Sequence, residues 1–205
     1  MAGENEWFEK NRAELEAAYL AGADPRAQSG FHGDAARWEA LRRRVLDAVE
    51  RDGDFLDIGC ANGHFLECAV KWASEDGHRI EPYGLDVSQP LVDLARKRLP
   101  QWSQRFQVGN AWTFEPARTY AFVRTELVYV PRALERRYVE RVLERFVAPG
   151  GRLIIPWYGG GSAPRRKRTM NELLSSWGLK VAGEAFADDP LRHGAFTDVA
   201  WLDKA

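Results

Sequence analysis

Between residues 57 and 63 the chain reads Asp57-Ile58-Gly59-Cys60-Ala61-Asn62-Gly63, an acid with glycines two and six positions after it. Glycine lets a backbone turn sharply and touch a ligand. The amides of a helix that starts there carry partial positive charge suited to a carboxylate or phosphate. A carboxylate inside such a turn repels pyrophosphate and suits an ammonium group. Three further groups carry polar chemistry. Asp86 stands in Gly84-Leu85-Asp86-Val87-Ser88, an acid at the end of a strand-like run. Asn110, in Gly109-Asn110-Ala111-Trp112, carries both a carbonyl acceptor and an amide donor. Arg124 and Glu126 end the apolar run Tyr120-Ala121-Phe122-Val123, where unpaired charge is costly.

These groups need strands to place them. Phe55–Ile58 reads as a short buried strand, followed by a helix over 63–74. A second strand over 80–86, a helix capped by Ser88, a third strand over 105–108 and a fourth over 120–126 follow. Pro131 opens a helix to Phe146, then come a fifth strand over 152–157, a helix near 170–177 and strands near 180–186 and 196–202. Strands alternating with helices predict a mostly parallel, doubly wound α/β sheet of seven strands. The last two strands, with no helix between them, predict an antiparallel hairpin at one edge. Residues 1–50 read as a helical cap, with Asp34 as a second N-cap, and 51–205 as the core of the same domain.

The 205 residues, 45% hydrophobic and 29% charged, fit one globular domain. A formal net charge of −1 gives no global field for nucleic acid or membrane. Cys60 and Cys68 match no zinc spacing and are expected as reduced thiols, with no metal site. The N-terminal residues lack a basic region followed by an apolar run, and no stretch approaches ~18 consecutive apolar residues. The expectation is a soluble, cytoplasmic protein, a monomer or homodimer.

Two cofactor classes use a glycine turn of this kind. Counted from Gly59, the dinucleotide spacing places His64 where a small residue is required, so that class fails. Asp57-x-Gly59-x-Ala61-x-Gly63 resembles motif I of the class I S-adenosylmethionine-dependent methyltransferases, with Ala61 in place of the middle glycine. Gly84 to Ser88 resembles the family's ribose site, Gly109 to Trp112 its adenine-edge motif, and Val147-Ala148-Pro149-Gly150-Gly151 the turn into its fifth strand. The resemblance spans about 34–203. It implies S-adenosylmethionine as cofactor and S-adenosylhomocysteine as product. It places Asp57, Gly59, Cys60, Ala61, Asn62, Gly63, Asp86, Val87, Asn110, Ala111, Trp112 and Thr125 at the cofactor.

Methyl transfer needs donor and acceptor held in line, and a base only where the acceptor sheds a proton. Glu126, Tyr129 and His32 are the candidates beside a small-molecule oxygen or nitrogen acceptor. The Arg124–Glu126 charges fit equally a structural ion pair with a helix residue. Arg124-Thr125-Glu126-Leu127 does not match the Asp/Asn-Pro-Pro-Tyr of base-amine methyltransferases, which disfavours that chemistry. Two rivals stand beside this reading: an RNA methyltransferase gripping substrate through Arg165-Arg166-Lys167-Arg168, and a cofactor-binding protein without catalysis. His193, in the hairpin loop, is a second histidine base candidate.

Overall fold

The computed structural model describes residues 2–159, 168–191, 194 and 196–205. Seven strands form one sheet: β1 (Gly53–Ile58), β2 (Ile80–Asp86), β3 (Phe106–Val108), β4 (Tyr120–Arg124), β5 (Val147–Gly159), β6 (Gly183–Asp188) and β7 (Phe196–Asp203). Their order is β3-β2-β1-β4-β5-β7-β6. All pairings from β3 to β5 are parallel, and β7 runs antiparallel to both β5 and β6. The expected hairpin is present, with β7 on its inner side and β6 at the edge.

Side chains alternate across a strand, and the sheet separates two apolar layers accordingly. Phe55, Phe122 and Ile154 pack with Phe65, Trp72 and Phe106, whereas Leu56, Val123, Leu153 and Ile155 pack with Tyr138, Phe146 and Met170. The first layer includes α2 (Ala35–Arg42), α3 (His64–Glu75) and α4 (Gln89–Arg98); the second includes α5 (Glu135–Arg145) and α6 (Met170–Ser176). Runs apolar at every position, such as Phe122-Val123 and Leu153-Ile154-Ile155, are what a strand covered on both faces requires.

The caps form as their residues demand. Asp34 accepts the Arg37 amide at 2.8 Å to start α2, and Ser88 accepts the Leu91 amide to start α4. The N-terminal cap adds α1 (Ala2–Leu20). Boundaries differ locally from the sequence reading. The fourth strand ends at Arg124, and the helix expected from Pro131 begins as a 3-10 turn before α5. The sixth strand lies over Gly183–Asp188 rather than 180–186. Strand order reverses between β1 and β4, so a crevice opens beyond their carboxyl ends.

Candidate functional site

Parallel pairing sets Asp57 directly beside Arg124 at that crevice. Both are buried, at 1% and 5% exposure. Arg124 Nη1 donates to Asp57 Oδ1 at 2.8 Å, and Nη2 donates to Glu126 Oε1. Tyr129 also donates to Glu126 Oε1, at 3.3 Å. In place of an ion pair with a helix residue, one of the two readings of these charges, the structure holds a triad of Asp57 at the end of β1, Arg124 at the end of β4 and Glu126 just beyond it. Because Arg124 and Glu126 are two apart, both face the cavity, and Thr125 between them faces the other layer.

The triad forms part of the wall of a cavity of about 320 Å³. The Asp57–Gly63 turn contributes Asp57, Gly59, Cys60 and Ala61; Asp86, Val87, Asn110 and Ala111 follow along the wall, then Glu126 and Tyr129. Backbone conformation explains the turn's composition. Gly59 has φ +79°, and a Cβ there would lie 2.2 Å from the Tyr129 ring. Ala61 has φ +45° and is the only non-glycine with positive φ among the described residues. A left-handed alanine costs roughly 1 kcal/mol, and its amide is held by Asp86 Oδ2 at 2.8 Å. Ala61→Gly is therefore expected to keep the turn and leave stability unchanged or raise it by up to about 1 kcal/mol; urea unfolding reads it, and a loss beyond 1 kcal/mol would contradict it.

Asp86 also accepts from the Ser88 amide at 2.9 Å. Burial raises its carboxyl pKa, and the bonds from the Ser88 and Ala61 amides oppose that shift. Each of its oxygens keeps a second lone pair, enough for two hydroxyl donors. Asp57 Oδ2 is buried and has no hydrogen-bond partner among the described residues. Desolvation pushes the Asp57 carboxyl up to about 6, against the opposing pull of Arg124. An ammonium group is the ligand chemistry such an oxygen would accept. Val87, 37% exposed, and the buried Leu85 and Ala111 supply apolar surface to a flat base. Asn110 Oδ1 already accepts from the Trp112 amide at 2.9 Å and retains one acceptor position. These residues fit an adenosyl amino acid.

Five expected residues lie outside the cavity wall. Thr125 is buried with its hydroxyl 2.6 Å from that of Tyr138. Trp112 packs in the α5 layer beneath the Arg137 guanidinium. Asn62 is fully buried, donating to Pro25 and Gln28 and accepting from Ser29, so it ties the turn to the segment before α2. Gly63 caps α3 at φ +76°. His32 is exposed, and its carbonyl, not its ring, is engaged, by Arg37. His193 and Arg165-Arg166-Lys167 lie outside the described residues; Arg168 is exposed.

The sequence reading missed one wall. Phe8, Arg12, Leu15, Glu16 and Tyr19 of α1 line the cavity, with Trp38 and Arg42 of α2. Glu16 accepts from the Ser88 hydroxyl at 2.8 Å, docking α1 beside Asp86. The i, i+4, i+7, i+8, i+11 spacing marks a single helix face; a rough helical stripe through Phe8, Leu15 and Tyr19 is legible in the sequence, but nothing in it points to the crevice. Burial and the Glu126 charge push the Tyr19 hydroxyl up to about 12, and burial raises that of Tyr129 still more strongly against its usual value. Both stay protonated, and Tyr129 donates to Glu126. Among the described residues both bonds to Glu126 fall on its Oε1, and none falls on Oε2. Among the described residues no cluster of three metal-ligating side chains occurs, and no helix is long and apolar enough to cross a membrane.

No family model matches the chain, and no curated protein matches it by sequence. Solved structures do match. One is the 1,6-didemethyltoxoflavin-N1-methyltransferase of Burkholderia thailandensis with bound 1,6-didemethyltoxoflavin and S-adenosylhomocysteine: TM-score 0.71 and 16% identity over 98% of this chain and 91% of that one. Another is the magnesium protoporphyrin IX methyltransferase of Synechocystis with bound S-adenosylmethionine: TM-score 0.59 and 12% identity over 98% and 94%. A third is the [4+2]-cyclase SpnF: TM-score 0.60 and 14% identity over 94% and 92%. The chain has the Rossmann-like fold of the class I S-adenosylmethionine-dependent methyltransferases.

Proposed function

We propose that the protein is an S-adenosylmethionine-dependent methyltransferase acting on oxygen or nitrogen of a small molecule. The observation that carries the reading is Asp57 Oδ2, a buried carboxylate oxygen without a partner at the mouth of a parallel strand, with Asp86 one strand away. Asp57 Oδ2 receives the ammonium of the cofactor's amino acid, and Asp86 accepts from the ribose hydroxyls. Leu85, Val87 and Ala111 hold the adenine. Bound there, S-adenosylmethionine supplies a methyl group on a sulfonium sulfur, and the bonding pair returns to sulfur as the acceptor takes the methyl.

The chain's own residues do the rest. Arg124 and Tyr129 fix Glu126 by its Oε1, turning Oε2 toward the cavity to take the proton an O–H or N–H acceptor releases. Tyr19, Trp38 and Phe65 wall the space; excluding water there favours an in-line displacement by a poorly solvated nucleophile. The small-molecule reading draws support from neighbours named for toxoflavin and porphyrin substrates. The cyclase neighbour supports a second reading, a cofactor-binding fold serving other chemistry. It is distinguished by cofactor binding without methyl transfer to any of a broad acceptor panel.

Calorimetry tests the proposal through pH. The Asp57 carboxyl lies above its unfolded value of 3.8, at about 6, so the folded protein holds its proton more tightly. That contribution to stability is present below pH 3.8 and lost as pH rises through 6. An ammonium needs the ionised form, so binding has the opposite slope. S-adenosylhomocysteine affinity is expected to fall about tenfold per unit below pH 6, and to be flat with pH in Asp57→Asn. A flat profile in the wild type, or tighter binding of a nicotinamide dinucleotide, would overturn the assignment.

A further inference from the structure

Three arginines line the cavity, and their partners differ. Arg12 pairs with Glu9 at 2.8 Å and lies 3.6 Å from Glu16; Arg124 pairs with Asp57 and Glu126. Arg42, at the end of α2, is 8% exposed and lines the same cavity. Among the described residues it has no carboxylate within 4 Å and no hydrogen bond; it has aromatic faces. Its guanidinium carbon lies 3.4 Å from the ring centre of Tyr158, 5.2 Å from Trp38 and 5.3 Å from Phe31.

Ring faces attract a cation but accept few of the five N–H bonds a guanidinium offers. The guanidinium lines the cavity, where a ligand can complete its fork. The planar fork matches a carboxylate in two parallel bonds. Asp57 has an arginine of its own in Arg124, whereas Arg42 stands without a carboxylate among Phe31, Trp38 and Tyr158. The cofactor's own carboxylate is the rival occupant, and the binding probes below separate it from an acceptor's.

We infer that Arg42 is the specificity residue for the methyl acceptor, and that the acceptor is a small aromatic acid. Its carboxylate sits on Arg42, its ring lies among Tyr19, Trp38 and Phe65, and its O–H or N–H points to Glu126. The inference rests on the methyltransferase reading above and narrows its substrate class.

Matched probes test it. Protein saturated with S-adenosylhomocysteine is titrated with 4-hydroxybenzoate and anthranilate, and with the uncharged amides of both. Each acid is expected to bind at least tenfold more tightly than its amide. Arg42→Met abolishes that ratio, Arg42→Lys keeps part of it, and circular dichroism checks that both fold. S-adenosylhomocysteine affinity stays within twofold in both variants. Equal binding of acid and amide to the wild type, or no binding of either acid at millimolar concentration, overturns the inference. So does a tenfold loss of S-adenosylhomocysteine affinity in Arg42→Met with the acid preference intact, which would give Arg42 to the cofactor. Failure of the wild type to bind S-adenosylhomocysteine overturns instead the cofactor reading beneath it.

Discussion

Arg124→Met is expected to lower the free energy of unfolding by about 3–5 kcal/mol, the cost of removing one partner from a buried ion pair. The cation is the centre of the triad, and without it Asp57, 1% exposed, and Glu126 are left facing one another without their counter-ion. The loss has a pH signature. With Arg124 gone the Asp57 carboxyl rises further above 6, so stability recovers as the solution is acidified from pH 7 to 5. Asp57→Leu on the same background removes the stranded charge and is expected to restore at least half of the loss. Urea unfolding at both pH values measures all three variants. A single-variant loss under 1 kcal/mol would mean that the triad does not hold the strand ends together.

Asp86→Ala is expected to weaken S-adenosylhomocysteine binding at least hundredfold. Two hydrogen bonds from hydroxyls to a charged acceptor contribute about 1.5 kcal/mol or more each, and 1.4 kcal/mol is tenfold. The structure adds a second route to the same loss. Asp86 holds the Ala61 amide and the Ser88 amide at once, so its removal also frees the strained left-handed alanine. Adenosine should lose as much as S-adenosylhomocysteine, because both carry the ribose; adenine, which lacks it, should lose far less. Calorimetry with these three ligands separates the routes: a loss shared by adenine points to collapse of the turn, and a loss confined to the ribosides to the missing acceptor.

The parts of this site legible in sequence are those whose backbone or strand position dictates residue type. A left-handed turn out of a strand demands Gly59, and an acid at a strand end beside it is visible as a spacing. Strand–helix alternation gave the seven-stranded order of elements, including the final hairpin. What failed failed for geometric reasons. Thr125 is one residue past the cavity-facing Arg124 that ends β4, and one residue of extended backbone is a change of face. Trp112 follows a cavity-lining alanine, but its amide closes a turn on Asn110 and its ring goes to the α5 layer. The α1 wall and Arg42 were invisible because their relation to the crevice is set by how the cap docks, through contacts such as Ser88 with Glu16, which no local pattern encodes.

The place of β7 in the sheet has a consequence for how the molecule is made. Strand β6 is joined to the sheet through β7 alone, and β7 is threaded between it and β5. During synthesis β6 therefore leaves the ribosome before its neighbour exists, and β5 presents an open edge over eight paired positions until that neighbour arrives. Open edges recruit other chains, and pairing that waits on distant sequence is slow. The vulnerable interval in the life of this protein is thus the time needed to translate the segment from the end of β5 to the end of β7. Shortening or interrupting that segment leaves two edges exposed at once, and the expected outcome is association of nascent chains before any ligand has a site to enter.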